Sequence, residues 1–233
     1  MDKLPATAAH TPDAVLFDAY GTLFDVYSVA LAAEQLFAGQ GAALAQAWRD
    51  KQIEYTRLLS MSGRYRPFWD ITRAALRFCA QQLQLPLGRA AEDRLMNEYR
   101  HLSAFPENGE VLRTLRERGV RAGILSNGDR EMLAVAVKSA GFGDWLDPVL
   151  SADAVRCFKT DPRVYQLGCD ALALPARKIL FVSSNGWDAI GATWFGFHTL
   201  WVNRADAPLE QLDCEPTRIG RSLRDVLGFF PAR

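Results

Sequence analysis

The stretch Ala14-Val15-Leu16-Phe17-Asp18, followed at once by Ala19-Tyr20-Gly21-Thr22, decides how this chain is read. A short apolar run, too brief for a helix, stops at a carboxylate and a glycine-bearing turn. The same grammar returns three times. Arg121-Ala122-Gly123-Ile124-Leu125 stops at Ser126-Asn127-Gly128, Lys178-Ile179-Leu180-Phe181-Val182 at Ser183-Ser184-Asn185-Gly186, and His198-Thr199-Leu200-Trp201-Val202 at Asn203. Runs of this length, rich in β-branched and aromatic residues, read as strands buried on both faces. Helical patterns fill the gaps, at roughly 107–118, 131–140, 163–171 and 188–195. Gly128 or Asp129 is placed to open the second of these and Gly141 to close it. Strand alternating with helix implies right-handed crossovers and an α/β, doubly wound parallel sheet.

Residues 25–104 break that rhythm. They hold no convincing strand, and helical patterns at 43–59, 71–84 and 90–102 are punctuated by Pro67 and by Leu85-Pro86-Leu87-Gly88. A helical block directly after the first strand reads as a cap inserted into the sheet domain. The expected division is therefore 1–24 with 105–233 for the α/β core and 25–104 for the helical cap domain. No internal repeat or low-complexity segment appears.

The 233 residues are 49% hydrophobic, and 27 Lys and Arg balance 27 Asp and Glu. Such a balance gives no reason to expect nucleic acid or an anionic membrane surface as partner. The apolar runs are too short to span a bilayer. The segment Met1 to Asp13 lacks the apolar core of a secretory signal and reads as a short loose tail. Cys79, Cys157, Cys169 and Cys214 are scattered without a CxxC pair, which fits free thiols in a reducing, cytoplasmic setting. His10, His101 and His198 are too dispersed for histidine catalysis, and no GxSxG elbow, Walker loop or dinucleotide glycine fingerprint is present.

In an open parallel sheet, ligands bind beyond the carboxyl ends of the strands. The polar residues that end the apolar runs are Asp18, Tyr20 and Thr22, then Ser126 and Asn127, then Ser183, Asn185 and Asp188. Lys159 lies between the last two groups, within Cys157-Phe158-Lys159-Thr160-Asp161-Pro162. Two carboxylates, an ammonium and several hydroxyls on one rim outline a reaction centre. Taken singly, each residue has a plainer explanation. An aspartate after an apolar run is commonly a turn or cap, and a lone lysine is a solvated charge. Arg49 sits in a charged helical pattern where an i,i+4 partner is usual, and Ile53 and Phe68 fit an ordinary core.

The set as a whole resembles the haloacid dehalogenase superfamily. Phe17-Asp18-Ala19-Tyr20-Gly21-Thr22-Leu23 is similar to its first motif, Ser126-Asn127-Gly128 to its second, Lys159 to its third, and Ser183-Ser184-Asn185-Gly186-Trp187-Asp188 to its fourth. The resemblance implies a Rossmann-like core under a cap. Most members are magnesium phosphatases with a second aspartate two residues after the nucleophile and an acidic residue early in the fourth motif. Here those places hold Tyr20, and Ser183 with Ser184. A hard cation that prefers carboxylate oxygens is poorly served by that set.

The chain instead resembles the L-2-haloacid dehalogenase (type II) branch, through Trp48-Arg49-Asp50-Lys51-Gln52-Ile53-Glu54-Tyr55, Asp161-Pro162-Arg163-Val164-Tyr165 and Trp201-Val202-Asn203-Arg204. Thr160 stands where many members have proline. The resemblance implies hydrolysis of a small L-2-haloacid to a D-2-hydroxy acid, with water as co-substrate, no cofactor and no metal, and a homodimer as assembly. Asp18 would be the nucleophile and Asp188 the base for water, held by Lys159 and with Tyr165 bracing that lysine. Thr22, Ser183 and Asn185 would orient Asp18, and Ser126 would hold the substrate carboxylate. Arg49, Asn127 and Trp187 would receive the halide, while Tyr20, Ile53 and Phe68 wall off water. The rivals are a magnesium-dependent phosphatase of the superfamily and a non-catalytic binding protein on the same scaffold.

Overall fold

The computed structural model describes residues 11–231; most of the expected N-terminal tail, including His10, lies outside them. The first apolar run forms β1 (Ala14–Phe17), every residue of which is buried. It pairs in parallel with β2 (Arg121–Ser126) on one side and β4 (Ile179–Ser183) on the other. Outward from these lie β3 (Val149–Ser151) beside β2, then β5 (His198–Val202) and β6 (Arg218–Gly220) beyond β4. The order β3-β2-β1-β4-β5-β6 is all parallel, so successive connections run one way from β1 and then back past it. The reversal falls between β1 and β4, where the crevice of a doubly wound sheet lies.

Helices α5 (Asn108–Glu117), α6 (Arg130–Ser139), α7 (Pro162–Leu172) and α8 (Gly186–Phe195) connect the strands. Their ends follow local chemistry. Asp129 caps α6, accepting from Met132 N at 3.1 Å, and Gly141 takes a left-handed φ of 70° after its end. Asp161 caps α7 with Pro162 as the first helical residue.

The sequence pattern misses three short elements: β3, β6 and α1 (Ala30–Leu36). Three residues cannot display a period of two, and both short strands carry exposed residues on the sheet edges. The remaining helices before α5 are α2 (Gly41–Met61), α3 (Phe68–Gln82) and α4 (Arg89–Arg100). Each lies within a few residues of its expected position. The chain leaves the sheet and returns along two adjacent crossings, where Phe24 bridges Ala104 and Asp25 N donates to Ser103 O at 2.8 Å. Among the described residues no helix is long and apolar enough to cross a membrane. The four cysteines are free.

Candidate active site

The sheet reversal brings the ends of β1 and β4 side by side. Asp18 N donates to Val182 O at 2.9 Å, which points the Asp18 side chain over the carboxyl edge. Its Oδ2 accepts from Asn185 Nδ2 at 2.8 Å, Thr22 Oγ1 at 3.2 Å and Ser183 Oγ at 3.5 Å. Thr22 is itself aimed by Ser184 N, which donates to its hydroxyl at 2.8 Å. The other oxygen, Oδ1, accepts from Lys159 Nζ at 3.1 Å, and the same ammonium donates to Asp188 Oδ2 at 2.9 Å. Asp18, Lys159 and Asp188 are all buried. One cation between two carboxylates offsets the repulsion they would otherwise feel in a medium of low dielectric.

Tyr165 departs from its expected place. Its hydroxyl makes no hydrogen bond to Lys159 and instead donates to Asp188 Oδ1 at 2.8 Å, so the bond it makes braces the carboxylate rather than the lysine. Burial holds that hydroxyl well above the usual tyrosine range, so it stays a donor. Asp188 has burial pushing its carboxyl up to about 6, against the opposing pull of Lys159. Gly191 on α8 permits this approach, since a Cβ there would lie 2.7 Å from the Tyr165 hydroxyl. The Lys159–Thr160 peptide is cis.

Asn127 uses its carbonyl oxygen on the backbone of Lys159, accepting from its N–H at 2.8 Å. That leaves the amide nitrogen as its free end. Ser126 Oγ accepts from Gly128 N at 3.1 Å and shapes the turn after β2. Gly128 has to be glycine-sized, because a Cβ would stand 2.5 Å from the Tyr20 ring. Arg49 enters from α2 and is buried there. Its Nη2 donates to Tyr20 O at 3.0 Å and Asn185 Oδ1 at 3.1 Å, and its Nη1 to Gln52 Oε1 at 2.8 Å. The Asn185 amide thus joins the two ends of the site, its nitrogen on Asp18 and its oxygen on Arg49.

Asp18, Tyr20, Arg49, Ile53, Phe68, Ser126, Asn127, Asn185 and Trp187 line one small cavity, together with Thr56. Its volume is about 10 Å³, room for roughly one water. Thr22, Lys159, Ser183, Asp188 and Tyr165 stand behind that lining. Tyr20 packs its ring on Phe68 and Tyr99 at centroid distances of 5.7 and 5.8 Å. Burial raises its hydroxyl well above the usual range, so it offers no carboxylate-like ligand. Among the described residues no group of three or more His, Cys, Asp or Glu is placed to hold a metal ion.

A family model for haloacid dehalogenase-like hydrolases matches residues 12–196. The chain belongs to the haloacid dehalogenase-like hydrolase family. An (S)-2-haloacid dehalogenase from Pseudomonas sp. (strain YL) is similar to it, 43% identical over 216 residues that cover 93% of each chain. The crystal structure of an L-2-haloacid dehalogenase is similar with 58% identity and a TM-score of 0.93, covering 95% of this chain and 99% of its own. That of the L-2-haloacid dehalogenase from Xanthobacter autotrophicus with chloropropionic acid covalently bound has 36% identity and a TM-score of 0.86, with 92% and 96% covered.

Several residues around this hydrolase site have no signal in the sequence. Gln52 and Thr72 are polar but fully buried, and Tyr99 is nearly so. Arg204 belongs to a quoted motif, yet nothing there reveals its task. Its Nη1 donates to Ser184 Oγ at 2.6 Å, its Nη2 to Glu107 Oε1 at 3.0 Å, and its guanidinium lies 3.8 Å from the Phe105 ring centroid. Long-range polar pairs of this kind leave no periodicity behind.

Proposed function

We propose that the protein hydrolyses short L-2-haloalkanoic acids to D-2-hydroxy acids through an ester on Asp18, with no metal. The observation that carries this is the paired carboxylates on Lys159, with Asp18 and Arg49 lining one small cavity. A carboxylate is a weak nucleophile and must be fixed in line behind the carbon–halogen bond; such orientation is worth about 7–11 kcal/mol. In the first step one Asp18 oxygen bonds to C2 while the carbon–halogen bond breaks, inverting C2 and releasing halide. Arg49, the free amide end of Asn127 and the edge of Trp187 receive that charge, while Ser126 and its neighbouring backbone N–H groups hold the substrate carboxylate.

In the second step water adds to the carboxyl carbon of Asp18 and gives its proton to Asp188. The three donors on Asp18 Oδ2 suit it to remain the carbonyl oxygen and to take the charge of the tetrahedral intermediate. Collapse breaks the bond between the Asp18 carboxyl carbon and the ester oxygen, which takes the proton from Asp188 and leaves as the hydroxy acid. Loss of the remaining water proton to solvent regenerates the Asp18 carboxylate with one oxygen from water. Ile53, Phe68 and Tyr20 keep other water out.

Residues 25–104 act as the cap and 1–24 with 105–233 as the core, a division supported by the adjacent crossings at Phe24 and Ala104. The four free thiols fit a cytoplasmic enzyme. A homodimer would cover Leu31 and Met61, large apolar side chains exposed on α1 and α2. The deciding experiment is chloride release from (S)-2-chloropropionate in EDTA, with Asp18→Asn in parallel. Chloride and D-lactate from the wild type alone support the proposal. No chloride, joined to magnesium-dependent hydrolysis of a phosphate ester, overturns it.

A further inference from the structure

Three cap helices meet in one buried hydrogen-bonded chain behind Arg49. Gln52, three residues further along α2, is fully buried. Its Oε1 accepts from Arg49 Nη1 at 2.8 Å and from the Tyr99 hydroxyl of α4 at 3.0 Å. Its Nε2 donates to Thr72 Oγ1 of α3 at 2.6 Å. The Thr72 hydroxyl has a single proton, which it gives to Phe68 O at 2.8 Å. It can therefore only accept from Gln52.

The direction of the amide follows. Its nitrogen faces Thr72, so its oxygen faces Arg49. Tyr99 adds to this, because burial raises its hydroxyl above the usual range and keeps it a donor. Rotating the amide by half a turn would set NH2 against guanidinium and hydroxyl, donor against donor, in a fully buried place. None of Gln52, Thr72 and Tyr99 lines the reaction cavity.

We propose that Gln52 is a positioning residue for halide departure, aiming the Arg49 guanidinium at the leaving group through a chain of fixed polarity that begins at Thr72. The proposal rests on the dehalogenase function above and deepens it. Chloride, held by a stronger bond to carbon than bromide, depends more on a well-placed donor in the transition state. A loosened Arg49 therefore penalises chloro substrates more than bromo ones. A residue that only stabilised the cap would affect both alike.

The test is single-turnover halide release from (S)-2-chloropropionate and (S)-2-bromopropionate by Gln52→Leu, Thr72→Val and Thr72→Ser, with thermal melts to confirm folding. Thr72→Val removes the acceptor for Gln52 without touching the cavity, and Thr72→Ser restores it. Loss of an orienting partner behind a reacting group costs about 10- to 100-fold in activity. That loss is expected on chloride for Gln52→Leu and Thr72→Val, with the bromide-to-chloride rate ratio raised, and a wild-type ratio for Thr72→Ser. If Gln52→Leu does not fold, the two Thr72 variants decide. An unchanged ratio in Thr72→Val, whether or not both rates fall, overturns the assignment. A wild type that releases neither halide overturns the dehalogenase function itself, a result distinct from an active wild type with insensitive variants.

Discussion

Asp188 meets two partners through its two oxygens, Lys159 on one and Tyr165 on the other. The proposed role as base requires the charged form, and burial has raised its carboxyl to about 6. Turnover is accordingly expected to fall as pH drops through about 6, with the ester-hydrolysis step affected, in a profile of kcat against pH. Tyr165 donates to the carboxylate and favours its charged form, so Tyr165→Phe raises the Asp188 pKa further and moves the acid limb to higher pH. An unmoved limb would show that Asp188 is not the group being titrated. Asp188→Asn is expected to go further, forming the ester without hydrolysing it, so that mass spectrometry of the Asp18 peptide shows an added carboxyalkyl group. Asp18 was legible because it ends a strand-like run, and Lys159 because it lies between two of the motif groups and just before a helical pattern. Tyr165 was legible only as a motif member, and its true partner was not.

At the scale of elements, the site depends on how closely strand ends and helices approach. On α8, a Cβ at Gly191 would stand 2.4 Å from Thr160 Cγ2 as well as against the Tyr165 hydroxyl. Gly191→Ala is expected to cost about 1–3 kcal/mol by overpacking and to lower kcat by displacing Tyr165, read by a thermal melt beside steady-state rates. Arg204, just beyond β5, ties the Ser184 turn to Glu107 at the start of α5. Arg204→Ala should loosen Ser184 and, through it, the Thr22 hydroxyl. A fall in kcat of about tenfold with little change in KM is expected, as for an interaction that matters most in the transition state. Partial rescue by guanidinium ion would separate this from general destabilisation. The long elements were legible because their apolar periodicity runs over several turns, whereas β3, β6 and α1 are too short to display any.

Across the whole molecule, one continuous apolar core joins the sheet to the helical insert, from Leu16 and Phe17 through Tyr20 and Phe68 to Leu44 and Ile71. A single cooperative thermal transition is therefore expected by calorimetry, with calorimetric and van't Hoff enthalpies in agreement; two resolved transitions would show that the helices fold on their own. The sequence by itself determined the parallel α/β sheet and the helical insert, and it singled out Asp18, Lys159 and Asp188 as candidates for one rim, because strand and turn chemistry is local and most of the motif groups end local elements. Only the tertiary structure decided that Tyr165 serves Asp188, that Asn185 couples Asp18 to Arg49, and that Gln52 is aimed by Thr72. Those are hydrogen bonds between residues on different elements, and their direction depends on which proton is already committed elsewhere.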